Sequence, residues 1–207
     1  MNIGIIGAGN IGATAARLFA DAGHEVVLSN SRGPETLTHI VQDMDGNVQA
    51  TTVEEAADFG EVVLEAIPFG RYEDLPADRL AGKIVIDASN YYPGRDGEID
   101  LLGRGSSELL ADHLAGCRVV KAFNTTYYET LATGGDLWDD VRLLLFVAGD
   151  DAEAKAVVSR LIEDAPEDTG SLEDGRVQQP GSPFYNVEMT SPQARDALRR
   201  LRGESDE

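Results

Sequence analysis

The chain has 207 residues and a formal net charge of −20 at pH 7, from 17 Lys and Arg against 37 Asp and Glu. Its length suits one α/β domain with a full core, and its acidity argues against nucleic acid and anionic membrane surfaces as partners. No apolar run approaches membrane-spanning length and Met1 leads straight into an apolar segment, so neither signal peptide nor membrane anchor is expected and the chain reads as cytoplasmic.

The first apolar run, Ile3-Gly4-Ile5-Ile6, reads as a strand and leads directly into GAGNIG, with Gly7, Gly9 and Gly12 spaced as G-x-G-x-x-G. Ile11, Ala15, Leu18, Phe19 and Ala22 then recur at helical spacing, and Gly23 ends that helix. A second strand, Val26-Val27-Leu28, closes on Ser29, Asn30, Ser31 and Arg32. A helix is expected near 34–43, a short strand near 48–51 and a helix near 53–57. Strands follow at 61–67 (stopped by Pro68), 83–87, 118–122 and 141–148. The segment 152–162 is helical, with Ala154, Val157, Val158, Leu161 and Ile162 as its stripe. Beyond Pro166 the pattern weakens. There 180–183 reads as a loop, 185–189 as a short edge strand, 192–201 as a last helix and 203–207 as a frayed tail. This alternation predicts an α/β, Rossmann-type, doubly wound and mostly parallel sheet in a single domain, 1–207, with 166–207 as a C-terminal extension. The single Cys117 precedes a strand and reads as a buried, inert thiol. His24, His39 and His113 lack metal-ligand spacing, and no metal is assigned.

The strand–turn–helix context gives the glycine motif a physical reading as a dinucleotide site. Gly7 permits the sharp turn, Gly9 lets the backbone approach a pyrophosphate, and Gly12 lets the helix pack close to the sheet. The helix N-terminus then offers free N–H groups to phosphate. The end of the second strand discriminates between coenzymes. An NAD site usually carries an Asp or Glu there to accept from the ribose 2′-hydroxyl. Here Ser29, Asn30, Ser31 and Arg32 offer hydroxyls and a guanidinium that suit a 2′-phosphate, so NADP(H) is the expected cofactor. The competing reading is that Arg32 is a solvated loop charge and either coenzyme binds.

Ligands of open α/β sheets sit beyond the carboxyl ends of the strands. That rule points to loops 66–70, 88–93 and 123–127, which hold Ala66, Ile67, Pro68, Asn90, Asn124 and Thr125 and converge on the nicotinamide end. They carry amides, hydroxyls and aromatics without a nucleophile–base pair, so no catalytic residue is assigned. Asp87 and Lys121 read as structural, and Tyr91, Tyr92, Tyr127 and Tyr128 as packing residues able to stack on a ring. Hydride transfer between two bound rings mainly requires placement and exclusion of water, which such a site supplies. Two other readings stand beside it: reduction of a small carbonyl or imine with a tyrosine as proton donor, and an NADPH-binding redox sensor without turnover.

Taken together, GAGNIG, SNSRGPE, AIP, VVKAFNT and AGDD resemble the NADP-dependent coenzyme F420 oxidoreductase family, whose members pass a hydride between NADPH and a deazaflavin. A similar KAFNT segment on the same fold occurs in the cytosolic domain of the STEAP metalloreductases, where NADPH reduces a flavin. The likeness spans about residues 1–165. It implies that Asn10 and Ile11 meet the pyrophosphate and Ser31 and Arg32 the 2′-phosphate. It also implies that Ala66, Ile67 and Pro68 line the cofactor, and that Asn124 and Thr125 lie near the reacting rings, with coenzyme F420 or a flavin as acceptor. A homodimer formed through the C-terminal region is a further implication. The chain departs from the family at Gly33, where a second basic residue is usual, at Asn124-Thr125, where a His-Thr pair is usual, and over 178–185.

Only three of the cations are lysines (Lys83, Lys121 and Lys155), a bias that suits a salt-rich cytoplasm, although an ordinary acidic cytosolic protein has the same signature. On the halophilic reading the thermal unfolding midpoint rises from dilute buffer to molar salt, and a midpoint indifferent to salt contradicts it.

Overall fold

The computed structural model describes residues 1–44, 48–133, 136–138, 141–142, 144–162, 165–187 and 191–203. The strands among the described residues are β1 (Asn2–Ile6), β2 (Glu25–Ser29), β3 (Val48–Thr51), β4 (Val62–Glu65), β5 (Ile84–Asp87), β6 (Arg118–Lys121), β7 (Asp136–Trp138), β8 (Val141–Arg142), β9 (Leu144–Gly149) and β10 (Ala165–Gly170). The helices among the described residues are α1 (Asn10–Asp21), α2 (Thr38–Gln42), α3 (Val53–Phe59), α4 (Ala77–Leu80), α5 (Pro93–Asp96), α6 (Ser106–His113), α7 (Tyr128–Leu131), α8 (Ala152–Leu161) and α9 (Ser191–Arg202). None of them is long and apolar enough to cross a membrane.

Eight strands form one sheet in the order β10-β9-β6-β5-β4-β1-β2-β3, parallel throughout except where β6 meets β9. The strand sequences are near-continuous apolar runs because helices bury both faces. On one face Ile3, Ile5, Leu64, Ile86 and Val120 pack against Ala15, Ala16 and Phe19 of α1 and Val158 of α8. On the other, Val63, Val85 and Val119 pack against Ala56 and Ala57 of α3, Leu80 of α4 and Leu110 of α6. A Rossmann-type α/β sheet is therefore the architecture, as the alternation implies.

Local chemistry sets several boundaries. Thr52 caps α3 in a reciprocal box, its hydroxyl accepting from the Glu55 N–H while the Glu55 carboxylate accepts from the Thr52 N–H. Asp151 caps α8 through the Ala154 N–H at 2.7 Å. The helix expected near 34–43 is a 3-10 turn, Pro34–Leu37, followed by the short α2. The strand expected at 141–148 is divided into β8, which pairs in a small hairpin with β7, and β9; residue 143 lies outside the described residues.

β10 escapes the sequence reading because Ala-Pro-Glu-Asp-Thr-Gly lacks an apolar run. It is an edge strand, where a proline is tolerated and one flank needs no partner. The C-terminal segment thus begins inside the main sheet, and Phe184, Ala194 and Leu198 cover Leu144 and Phe146. The strand expected at 185–189 is not formed at Tyr185 and Asn186, which lie in turns, and 188–189 fall outside the described residues. So do residues 204–207 of the expected tail. Cys117 is partly buried and donates to the Leu80 carbonyl at 3.1 Å, and burial pushes its thiol up.

Candidate functional site: a cleft above the glycine turn

The three motif glycines have different causes. Gly7 has φ +112°, and a Cβ there would lie 2.6 Å from the Ala66 carbonyl oxygen. A Cβ at Gly12 would lie 1.8 Å from the Gly7 carbonyl oxygen, so α1 could not start so close to β1 with any other residue. Gly9 differs, because a Cβ there would meet no protein atom within 4 Å. The fold does not demand that glycine, and the space it leaves open belongs to a cleft. α1 begins at Asn10 with no side-chain cap and no acidic residue in its first turn. Its early N–H groups, including those of Asn10 and Ile11, have no carbonyl of the preceding turn to meet and favour an anion.

The cleft has a volume of about 820 Å³, within the range of cofactor sites. Gly7, Gly9, Asn30, Ser31, Arg32, Ala66, Ile67 and Pro68 all line it. Asn30 shapes the loop: its Oδ1 accepts from the Arg32 N–H at 2.9 Å and its Nδ2 donates to Thr36 Oγ1 at 2.9 Å. Gly33, at φ +97°, turns the chain into Pro34. No described residue pairs with the Arg32 guanidinium, which stands exposed at the rim.

Ser29 is placed differently from its neighbours. It is fully buried and its hydroxyl donates to the Ile5 carbonyl at 2.8 Å, so it points into the sheet and not toward a 2′-phosphate. Residues the sequence left unmarked also line the cleft, among them Thr52, Glu54, Arg71, Asp74 and Leu75. They come from the turns after β3 and β4 and reach it because β1 and β2 lie between those strands. No motif announces them, and the strand order is the signal that could have.

Asn90, Asn124 and Thr125 are all buried, and none is among the described residues that line this cleft. Asn90 Nδ2 donates to the Asn124 carbonyl at 2.9 Å. Asn124 Nδ2 donates to Asn90 Oδ1 at 3.1 Å and to the Gln178 carbonyl at 2.9 Å. The Thr125 carbonyl accepts from the Asn186 N–H at 2.9 Å. These polar groups brace the loops after β5 and β6 against the C-terminal segment. Beside them the hydroxyls of Tyr92 and Tyr185 bond to each other, with the Arg95 guanidinium 5.0 Å above the Tyr92 ring. Burial, and then this contact, raise the Tyr92 phenol well above its ordinary value.

Beneath the loops, Glu65, Asp87 and Lys121 occupy matching positions on β4, β5 and β6, all of them buried. Lys121 Nζ donates to Asp87 Oδ2 at 3.1 Å and to the Ser89 carbonyl. Asp87 Oδ1 accepts from the Ser89 N–H at 2.9 Å and from its hydroxyl at 2.7 Å. Glu65 Oε2 accepts from the Ile67 N–H at 3.3 Å. Burial alone would raise Asp87, but the Lys121 charge and the hydrogen bonds from Ser89 hold it down at about 2. Burial and the charge of Asp87 push Glu65 well up, so it keeps a proton, which its otherwise unpartnered Oε1 can direct at Asp87. One ion pair and one neutral acid therefore tie the loop at Ile67 to the loop at Ser89. Among the described residues, no group of three or more His, Cys, Asp and Glu could hold a metal ion.

A family model described as NADP oxidoreductase coenzyme F420-dependent matches residues 2–91. The hypothetical protein SMa0349 from Sinorhizobium meliloti is 32% identical, with a TM-score of 0.82 over 92% of this chain and 96% of that one. A provisionally assigned F420-dependent NADP-reductase from Arthrobacter sp. FB24 is 24% identical, with a TM-score of 0.74 over 92% of this chain and 99% of that one. An imine reductase from Bacillus cereus BAG3X2 shares the fold at 18% identity and a TM-score of 0.60, with 83% of this chain matched to 55% of that one. Comparison with curated proteins gave no match.

Two substitutions test this geometry. Gly9→Ala should change stability by less than about 1 kcal/mol, since its Cβ meets only open space, yet weaken dinucleotide binding about tenfold or more by calorimetry. Unchanged affinity would remove Gly9 from the site. Lys121→Met should cost about 3–5 kcal/mol in denaturant unfolding by stranding Asp87. In the wild type the Asp87 contribution is complete above its unfolded value of 3.8 and is lost as pH falls through about 2. Glu65 contributes with the opposite sign, losing its share as pH rises through its raised value. Without Lys121, burial raises Asp87 too, so the variant should recover stability relative to the wild type on acidification. A deficit independent of pH would contradict the charge assignment.

Proposed function

The chain belongs to the family of coenzyme F420-dependent NADP oxidoreductases, and from that premise we propose that it passes a hydride between NADP(H) and a flavin-like or deazaflavin acceptor. The observation that carries the cofactor half is Gly9, a glycine the fold does not need, opening onto a cleft where the Arg32 guanidinium pairs with none of the described residues. These residues fit a phosphorylated dinucleotide. The first N–H groups of α1 would hold the pyrophosphate, and Ser31 and Arg32 the 2′-phosphate. Ile67 and Pro68 would pack along the cofactor beyond the glycine turn.

When bound, the nicotinamide supplies the hydride. The protein's task is to fix the donor ring and keep water from it. The row Glu65–Asp87–Lys121 supports that task by setting the loops at Ile67 and Ser89. The described residues that line the cleft include no histidine, lysine or tyrosine, which suits a ring acceptor, since that needs placement more than acid catalysis.

The test mixes the protein with NADPH and, separately, F420, FMN or FAD, and follows the absorbance of the reduced nicotinamide. Oxidation with at least one ring acceptor is expected. Arg32→Ala should weaken NADPH binding about tenfold and change NADH binding less than about twofold. Tight NADPH binding with no oxidation under any acceptor would contradict the enzyme reading and favour a redox sensor. Equal losses for both coenzymes would remove the 2′-phosphate from Arg32.

A further inference from the structure

A 2′-phosphate monoester carries a charge of about −1.5 to −2 near neutral pH, more than one guanidinium offsets. The cleft contains a second guanidinium. Arg71 lies on the 3-10 turn Phe69–Asp74 that follows β4 and lines the same cleft as Arg32. β1 separates β2 from β4 in the sheet, so the two arginines rise on opposite sides of the strand that ends at Gly7. Two strand spacings set the ends of β2 and β4 about 10 Å apart. Thr52, in the turn after β3, and Glu54, in the first turn of α3, line the same cleft, and β3 flanks β2 in the sheet.

The backbone of that turn is fixed and its side chain is not. Phe69 is fully buried and stacks on Tyr72 at 4.9 Å between ring centres. The Arg71 N–H donates to the Pro68 carbonyl at 2.9 Å. The Arg71 side chain is 67% exposed and held by an ion pair with Asp74, itself 55% exposed. Exposed ion pairs of this kind contribute little, whereas a guanidinium on a phosphate forms short, paired, charge-assisted bonds. The described residues lining the cleft contribute two cations, Arg32 and Arg71, against Glu54 and Asp74. On a chain of net charge −20, positive charge for a phosphate has to be local.

We propose that Arg71 leaves Asp74 for the 2′-phosphate and closes a two-guanidinium clamp with Arg32, so that it is a second determinant of preference for the phosphorylated coenzyme. This rests on the NADP(H) reading above. Calorimetric titration of NADPH, NADH and 2′,5′-ADP at one fixed salt concentration tests it, with thermal midpoints confirming that each variant is folded. Arg71→Ala should weaken NADPH and 2′,5′-ADP about tenfold and leave NADH within about twofold. Asp74→Asn should tighten NADPH, and the gain should vanish in Arg71→Ala/Asp74→Asn. Equal losses for NADPH and NADH, no loss at all, or an Asp74→Asn gain that survives removal of Arg71 would each overturn the clamp. If Arg32→Ala abolishes the preference while Arg71→Ala does not, the clamp fails and the function above stands. If the wild type binds NADH as tightly as NADPH, both fail.

Discussion

The contact between Gly12 and the Gly7 carbonyl is the constraint from which the site follows. A Cβ at Gly12 would lie 1.8 Å from that oxygen, so α1 can begin directly against the end of β1 only because no side chain intervenes. The closeness sets the first turn of α1, with its unsatisfied N–H groups, at the carboxyl edge of the sheet. It also fixes where Gly9 opens. A helix started a few ångströms farther away would leave the same residues in the sequence and no cradle between β2 and β4.

The far side of the site depends on a different interaction. Glu65, Asp87 and Lys121 lie on three adjacent strands in a region that offers almost no water. Three buried charges would be costly, and the row reduces the cost by keeping one proton on Glu65 and pairing the remaining two charges. Its hydrogen bonds end on Ile67 and Ser89, the second residues of loops that continue to Pro68 and Asn90. Polar groups thus do at this end what a missing Cβ does at the other: each holds a loop in a set position beside the cleft.

Much of this was legible in the chain. Apolar runs rich in β-branched residues located β1, β2, β4, β5 and β6, because strands buried on both faces leave an unbroken signal. The glycine spacing and the residues after β2 located the cleft, because the close junction of β1 and α1 restricts the residue types allowed at Gly7 and Gly12. What was missed has equally physical reasons. β10 is polar since it lies at an edge. Ser29 resembles a phosphate ligand by type but faces inward, because side chains alternate along a strand and its neighbour Asn30 has already left it. Asn90 and Asn124 share hydrogen bonds between the loops after β5 and β6, a pairing that no spacing in the sequence announces. Arg71 carries no local signature and joins the cleft only through strand order.

The central claim is that the cleft above Gly7 and Gly9 holds a phosphorylated dinucleotide with its adenosine phosphate at the β2 terminus. A crystal structure of the protein grown with NADP+ tests it most directly. The account predicts the pyrophosphate on the N–H groups of Asn10 and Ile11 and the 2′-phosphate within hydrogen-bonding reach of Ser31 and Arg32. A dinucleotide bound elsewhere on the molecule, or bound here with its 2′-phosphate turned to solvent, would contradict it.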